Sequence, residues 1–285
     1  MSLWLVTEAI FQIKGGHFSF SWKGRKQTKT FPEKASAMRY LRAMIFVFGS
    51  NLRGSHGRGA AKFAFQYRNA VRGRGMGIQG QAYAIPTKDE KLRPLPLDVI
   101  QNHVREFLVF AAESPAAQFQ VTRIGCGLAG YRDEQIAPMF EKAPSNCLLP
   151  GRWLAMRDPL LTRVIVAGTR SFEEYELMES KMDRLLANLP KDLDIVSGGA
   201  PGADRLGERY ARKRGYHLKR FPADWDNKAE GKAAGHVRNS IMAWYATHLV
   251  AFWNGKSPGT RDMIQLAEKE GLATRTIIYE PFPKT

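Results

Sequence analysis

The stretch Leu193-Asp194-Ile195-Val196-Ser197-Gly198-Gly199-Ala200-Pro201-Gly202-Ala203-Asp204 decides the fold. An apolar, β-branched run ends in clustered glycines, and a helical pattern over 203–214 starts at once. Strand, glycine turn and helix in that order form the repeating unit of a parallel sheet, whose strands need crossover helices and are covered on both faces. The order recurs around it. Strands are expected at 163–166, 193–197, 217–221, 248–252 and 274–279, with helices at 173–189, 203–214, 230–246 and 261–270.

Further upstream the alternation repeats independently. A strand over 44–48 runs into Gly49-Ser50-Asn51-Leu52-Arg53-Gly54-Ser55-His56-Gly57-Arg58-Gly59-Ala60-Ala61 and a helix over 60–69. A short strand at 83–86, an amphipathic helix at 98–112, a strand at 118–124 and a helix at 133–140 follow. Pro144, Pro150, Gly151 and Pro159 break the pattern and read as a linker. The first 43 residues read as strands at 3–13 and 17–23, a third over 27–31, and a helix over 32–42. The expected fold class is α/β: two three-layer domains, at 44–152 and 160–285, with a small ββα appendage at 1–43. The second domain is expected to be a Rossmann-like parallel sheet.

The 285 residues carry 43 Lys and Arg against 27 Asp and Glu, a net charge of +16. Such a balance favours nucleic acid, anionic surfaces or phosphorylated small molecules. The excess is densest in 1–44, with eight basic and two acidic side chains. Two cysteines, Cys126 and Cys147, cannot build a disulfide framework or a four-cysteine zinc site, and no metal or cofactor is expected. No apolar run approaches the roughly 18–20 residues of a membrane helix. The apolar start at 3–13 is interrupted by Glu8 and has no basic leader. A cytoplasmic protein without a membrane partner is the expectation.

Glycine permits positive φ and close backbone approach, while free amides at a helix N-terminus attract phosphate. The run from Gly49 to Ala61 and the run Gly125-Cys126-Gly127-Leu128-Ala129-Gly130 both follow strands. If those strands are neighbours, the loops clamp a pyrophosphate from two sides. In the C-terminal half, Gly168-Thr169-Arg170, the Gly198–Gly202 loop and Gly255-Lys256-Ser257-Pro258-Gly259-Thr260-Arg261 follow the first, second and fourth strands. Carboxyl strand ends are where open parallel sheets bind ligands. A plain tight turn is the competing reading of each loop. His56 offers an acid/base group, with exposure or a phosphate contact as the favoured reading; Cys126 offers a nucleophile, with packing as the favoured reading.

The first loop resembles the Asn-x-x-Gly-x-x-Gly-x-Gly-Ala-Ala pattern of macro domains, which bind ADP-ribose. Residues 118–127 resemble the strand and diphosphate-facing loop of the same domains. Across 44–152 the resemblance implies a macro-like domain in which Asn51 faces the distal ribose and orients a water. Gly49, Ser50, Gly57, Gly59 and Ala60 would line one side of the diphosphate. Gly125, Gly127, Leu128, Ala129, Gly130 and Tyr131 would line the other. The Gly-Asp-Ile strand end whose Asp reads adenine in macro domains has no counterpart here, which leaves the base unassigned.

Residues 162–280 resemble the SLOG superfamily, and within it the YspA-like branch. The resemblance is carried by Gly198-Gly199-Ala200-x-Gly202-Ala203-Asp204, Pro222-Ala223-Asp224-Trp225, Arg238-Asn239 and Gly259-Thr260. Members include nucleotide sensors, the LOG phosphoribohydrolases and a DNA-processing protein. The resemblance implies a nucleotide pocket lined by Gly168, Thr169, Arg170, Gly198, Gly199, Gly202, Asp204, Arg238, Gly259 and Thr260. The LOG signature's glutamate is replaced by Met263. That departure leaves cleavage by the LOG route unsupported.

Three functions stand open. The first is an enzyme, a hydrolase of ADP-ribose derivatives or another NAD-derived nucleotide, with Asn51 and Asp204 as catalytic candidates. The second is a non-catalytic sensor or sequestering protein for such a nucleotide in phage–host conflict. The third is nucleic-acid binding through 1–43, where Lys23, Arg25, Lys26 and Lys29 lie beside Phe18, Phe20 and Trp22. SLOG relatives often pair, so a homo-oligomer is a further expectation.

Overall fold

Runs such as Ile45-Phe46-Val47-Phe48 and Val164-Ile165-Val166-Ala167 are apolar on both alternating sets, so they fit only strands covered on both faces. The computed structural model describes residues 11–14, 17–22, 25–27, 44–225 and 231–280. Within the first 43 residues it shows β1 (Phe11–Lys14), β2 (His17–Trp22) and β3 (Arg25–Gln27), antiparallel in that order. The helix expected at 32–42, and Lys23 and Lys29, lie outside the described residues.

The next sheet contains β4 (Ile45–Asn51), β5 (Gly77–Gln79), β6 (Ala82–Lys88), β7 (Phe119–Val121) and β8 (Cys147–Leu148). Its order is β5-β6-β4-β7-β8, parallel except for β5 against β6. Helices α1 (Gly59–Tyr67) and α2 (Leu97–Glu113) follow β4 and β6. In α2 the stripe Ile100, Val104, Phe107 and Ala111 is buried, at the spacing of one helical face. After β7 comes α3 (Asp133–Ile136), which tightens into a 3-10 turn at Ala137–Phe140.

The prolines at 144–159 do not mark a linker. That segment forms β8 and then α4 (Gly151–Arg157), with Pro150 at the N-cap of α4. Proline is tolerated at a helix start because the amides there have no intrahelical acceptor.

The last sheet contains β9 (Arg163–Gly168), β10 (Asp194–Ser197), β11 (His217–Arg220), β12 (His248–Trp253) and β13 (Ala273–Ile278). All pairs are parallel, in the order β11-β10-β9-β12-β13. Its helices are α5 (Tyr175–Leu186), α6 (Ala203–Arg214), α7 (Ala234–Tyr245) and α8 (Pro258–Lys269). Helix α6 stops at Gly215, left-handed at φ 73, behind Arg212, Lys213 and Arg214. The glycine supplies the C-terminal turn, and the cations suit the negative end of the helix dipole.

Helices α7 and α8 serve both sheets. Val237, Ile241 and Met263 pack on Ile165 and Ala251, while Met44, Phe63 and Leu148 from the other half join the same cluster. The Trp244 indole donates to the Val121 carbonyl at 2.7 Å. Asp133 adds a polar clamp. It accepts from Arg123 (2.6 and 2.8 Å), Arg152 (2.9 Å) and Trp153 (2.6 Å). Those arginines then donate across to the carbonyls of Lys269 (2.6 Å) and Gly271 (2.9 Å). Among the described residues no helix is long and apolar enough to cross a membrane.

Candidate functional site

In both sheets the direction of growth reverses once, between β4 and β7 and between β9 and β12. Such switch points splay the following loops apart and leave a crevice at the carboxyl ends of the strands. The crevice beyond β4 and β7 is a cleft of about 1020 Å³. One wall is α1 with its preceding loop, and another is the Ile124–Ala129 loop. The third comes from α7 and α8 of the C-terminal half.

The sequence-expected residues Gly49, Ser50, Asn51, Gly57, Gly59 and Ala60 all line this cleft. So do Gly125, Gly127, Leu128 and Ala129. Gly130 and Tyr131 are not among its lining residues, and the Tyr131 hydroxyl donates instead to the Leu95 carbonyl. The two loops face each other closely. A Cβ on Gly49 would lie 3.3 Å from the Gly125 amide nitrogen, and one on Gly59 would lie 3.7 Å from the Leu128 side chain.

The amides of Gly57, Gly59, Ala60 and Ala61 donate to no acceptor among the described residues. The same holds for Gly125, Gly127, Leu128 and Ala129. Asn51 Oδ1 accepts from the Ser55 amide (3.2 Å) and hydroxyl (3.3 Å), which shapes the loop and leaves its Nδ2 without an acceptor among the described residues.

His56 is neither exposed nor a phosphate contact. It is 1% exposed, edge-on to Phe48, with Nε2 at 3.1 Å from the Arg74 carbonyl. Burial lowers its pKa, so the ring is a neutral pin under the loop. Burial also pushes the Cys126 thiol up to about 12, which removes it as a nucleophile and fits packing.

Groups on the third wall went unrecognised in the sequence. His236 lines the cleft with Nδ1 at 2.7 Å from Asp262, which raises its pKa. Glu270 also lines the cleft. Its Oε2 is buried without a partner among the described residues, and burial raises its pKa. His236 and Asp262 lie on different helices, far in sequence from the two glycine loops of this cleft and next to motifs assigned to the other crevice, Arg238-Asn239 and Gly259-Thr260.

The loops beyond β9, β10 and β12 are arranged differently, because their amides are largely satisfied from within. Asp204 Oδ2 accepts from Gly198 (3.1 Å) and Ala200 (3.4 Å), and Ser197 Oγ accepts from Gly199 (3.0 Å). Arg238 donates to the Gly198 carbonyl at 2.6 Å and lies 3.8 Å from Asp204. Thr169 Oγ1 accepts from the Asn254 amide at 3.2 Å, and Thr260 bonds to Ser257 at 3.0 Å. Some glycines here serve close packing. A Cβ on Gly198 would lie 1.6 Å from the Arg238 guanidinium, and one on Gly168 2.1 Å from the Phe252 carbonyl. Gly202, at φ 76, lies against the Thr169 carbonyl, where a Cβ would come within 2.3 Å. Gly199, Gly259 and the exposed Arg170 remain open.

Burial raises the Asp204 carboxyl to about 6, against the pull of Arg238 and the amides. Its folded pKa then exceeds the unfolded value of about 3.9. The native state binds the extra proton between these values, so this group makes stability fall as pH rises from about 4 to about 6, by up to roughly 3 kcal/mol. Urea unfolding of Asp204→Asn beside wild type at pH 4 and pH 7 should show the loss in wild type and a flatter profile in the variant. Parallel profiles would remove the assignment.

The pattern of the YspA, cpYpsA-related SLOG family matches residues 162–227. The Gene 61 protein of Mycobacterium phage D29 is 32% identical over 118 residues, covering 39% of this chain and 93% of the phage protein. Among solved structures, the X-ray structure of DNA processing protein A (DprA) from Streptococcus pneumoniae is similar at TM-score 0.35 and 20% identity. That likeness covers 44% of this chain, which spans about half (53%) of the DprA chain. With nearly the whole phage protein matched at that identity, the chain belongs to the family of the Gene 61 protein, and its residues 162–227 carry the YspA, cpYpsA-related SLOG pattern.

Proposed function

We propose that the protein binds a diphosphate-bearing nucleotide, of the ADP-ribose or another NAD-derived class, in the cleft between α1 and helices α7 and α8. The observation that carries this reading is a set of amides on two facing loops, those of Gly57, Gly59, Ala60 and Ala61 and those of Gly125, Gly127, Leu128 and Ala129, that have no acceptor among the described residues. Ala60 is half-buried and Ala61, Gly125 and Ala129 are buried, where amides without acceptors are uncommon, and amides at a helix N-terminus suit an anion. In the loop beyond β10 Asp204 holds the Gly198 and Ala200 amides, Ser197 holds the Gly199 amide and Arg238 holds the Gly198 carbonyl, so Asp204 and Arg238 are assigned the positioning of that loop rather than a ligand contact. The resemblance of 44–152 to macro domains supplies the nucleotide class.

Isothermal calorimetry with ADP-ribose, NAD and AMP tests the reading, and absence of heat with all three would end it. His236 can move a proton at the cleft wall, so the same mixtures should be followed by chromatography over hours, with Asn51→Ala beside wild type. Product that depends on Asn51 makes the protein a hydrolase; tight binding without product makes it a sensor or sequestering protein. Binding of DNA with a steep salt dependence, lost on deleting residues 1–42, would favour nucleic acid instead.

Affinity should also depend on pH. Asp262 holds His236 protonated to higher pH than usual, against burial and the charge of Lys269. The cation favours a diphosphate, so affinity falls several-fold as pH rises through the raised pKa. His236→Gln should flatten the profile. A profile unchanged by that substitution would exclude His236 from the site.

A further inference from the structure

We infer that the cleft reads the base of its nucleotide through Gln120 on its floor, as a purine edge with a donor beside an acceptor. The inference rests on the nucleotide reading above and adds the group that is recognised. Phe46, Gln120 and Leu148 are neighbours in register across β4, β7 and β8, so their side chains share one face of the sheet. Phe46 packs under α1, its ring 5.0 Å from Phe63. Leu148 packs in the cluster under α7. Gln120 lies between them, at the seam where α1 and α7 part and the cleft opens.

Gln120 is 4% exposed, yet its side-chain amide makes no hydrogen bond among the described residues. Its nitrogen and oxygen are not sealed in either, unlike the orphaned buried atoms of His56 or Asn146. The opening available to them is the cleft that Gln120 lines. Its row neighbours are apolar, and an unpartnered amide at that depth is costly unless something satisfies it. The cleft lining includes Phe63 on α1 and Ile241 and Trp244 on α7, with the Arg68 guanidinium near the Phe46 and Phe63 rings.

A primary amide presents a donor and an acceptor side by side. A sugar–phosphate chain has no matching planar edge. A purine such as adenine does, with an exocyclic amine next to a ring nitrogen, and glutamine engages that edge with two hydrogen bonds. The apolar side chains of Phe63, Ile241 and Trp244 suit the faces of a flat ring, and the Arg68 guanidinium is a further planar group in the same lining.

Calorimetry on the full chain with three probes tests this: ADP, purine riboside 5′-diphosphate, which lacks the exocyclic amine, and inorganic pyrophosphate. Wild type should prefer ADP over the riboside by about tenfold. In Gln120→Leu that preference should vanish while pyrophosphate affinity is unchanged. Gln120→Met repeats the measurement if leucine lowers the melting temperature. Equal affinity of wild type for ADP and the riboside, or a preference that survives both substitutions, overturns the inference alone. Failure of wild type to bind ADP and pyrophosphate overturns it together with the cleft reading.

Discussion

Asp133→Ala is expected to lower the unfolding free energy by about 3–5 kcal/mol, the cost of leaving buried charges unpaired. Asp133 is 5% exposed and accepts hydrogen bonds from Arg123, Arg152 and the Trp153 indole. Burial alone would raise its pKa, but the bonds from Arg123, Trp153 and Arg152 outweigh it and hold the carboxyl at about 2. A folded pKa below the unfolded value means that the stabilisation is full above about pH 4 and is lost as pH falls towards 2. The substitution also frees the two guanidinium groups that donate to the Lys269 and Gly271 carbonyls. Those bonds join the two halves, so the third wall of the cleft should loosen with the fold. Urea denaturation at pH 7 and pH 3 measures both effects: a large loss at pH 7 that shrinks at pH 3. A loss under about 1 kcal/mol at pH 7 would put Asp133 among ordinary surface ion pairs.

Gly127→Glu is expected to weaken nucleotide binding by at least about a thousandfold, because like charges brought together at a binding site cost several kcal/mol. Nothing lies within 4 Å of a Cβ at Gly127, and its φ is not in the left-handed region, so the side chain is accommodated. The new carboxylate would sit beside the amides of Gly127, Leu128 and Ala129, which have no acceptor among the described residues, and would take the place of the proposed phosphate. Melting temperature should move little. Gly259→Glu is the matched control, since Gly259 is equally open but lies in the first turn of α8 and does not line the cleft. Equal losses in both variants, or unchanged affinity in Gly127→Glu, would contradict a diphosphate site on the first pair of loops.

The sheets were legible because their signals are local. The expected strands at 163–166 and 193–197 became Arg163–Gly168 and Asp194–Ser197, and the helix over 203–214 kept its bounds. Apolar runs and helical stripes depend on neighbours within a few residues. The 144–159 segment misled because proline signals a break without saying whether a helix starts after it. The edge strand Gly77–Gln79 was missed because three residues carry too short a pattern.

From the chain alone came the α/β alternation, the placing of glycine loops after strands, and the candidates Asn51, Gly57, Gly59, Gly125 and Gly127 that line the cleft. Tertiary structure alone decided which glycines leave amides free and which close on themselves. Gly198 and Gly127 look alike in sequence, yet Asp204 satisfies the amide of one while nothing described satisfies the other. It also brought His236, Glu270 and Gln120 to one cleft, by docking α7 and α8 on the sheet of the other half. Periodicity encodes which face of an element is buried, whereas the partner of that face is set by packing between segments more than a hundred residues apart, as between Trp244 and Val121.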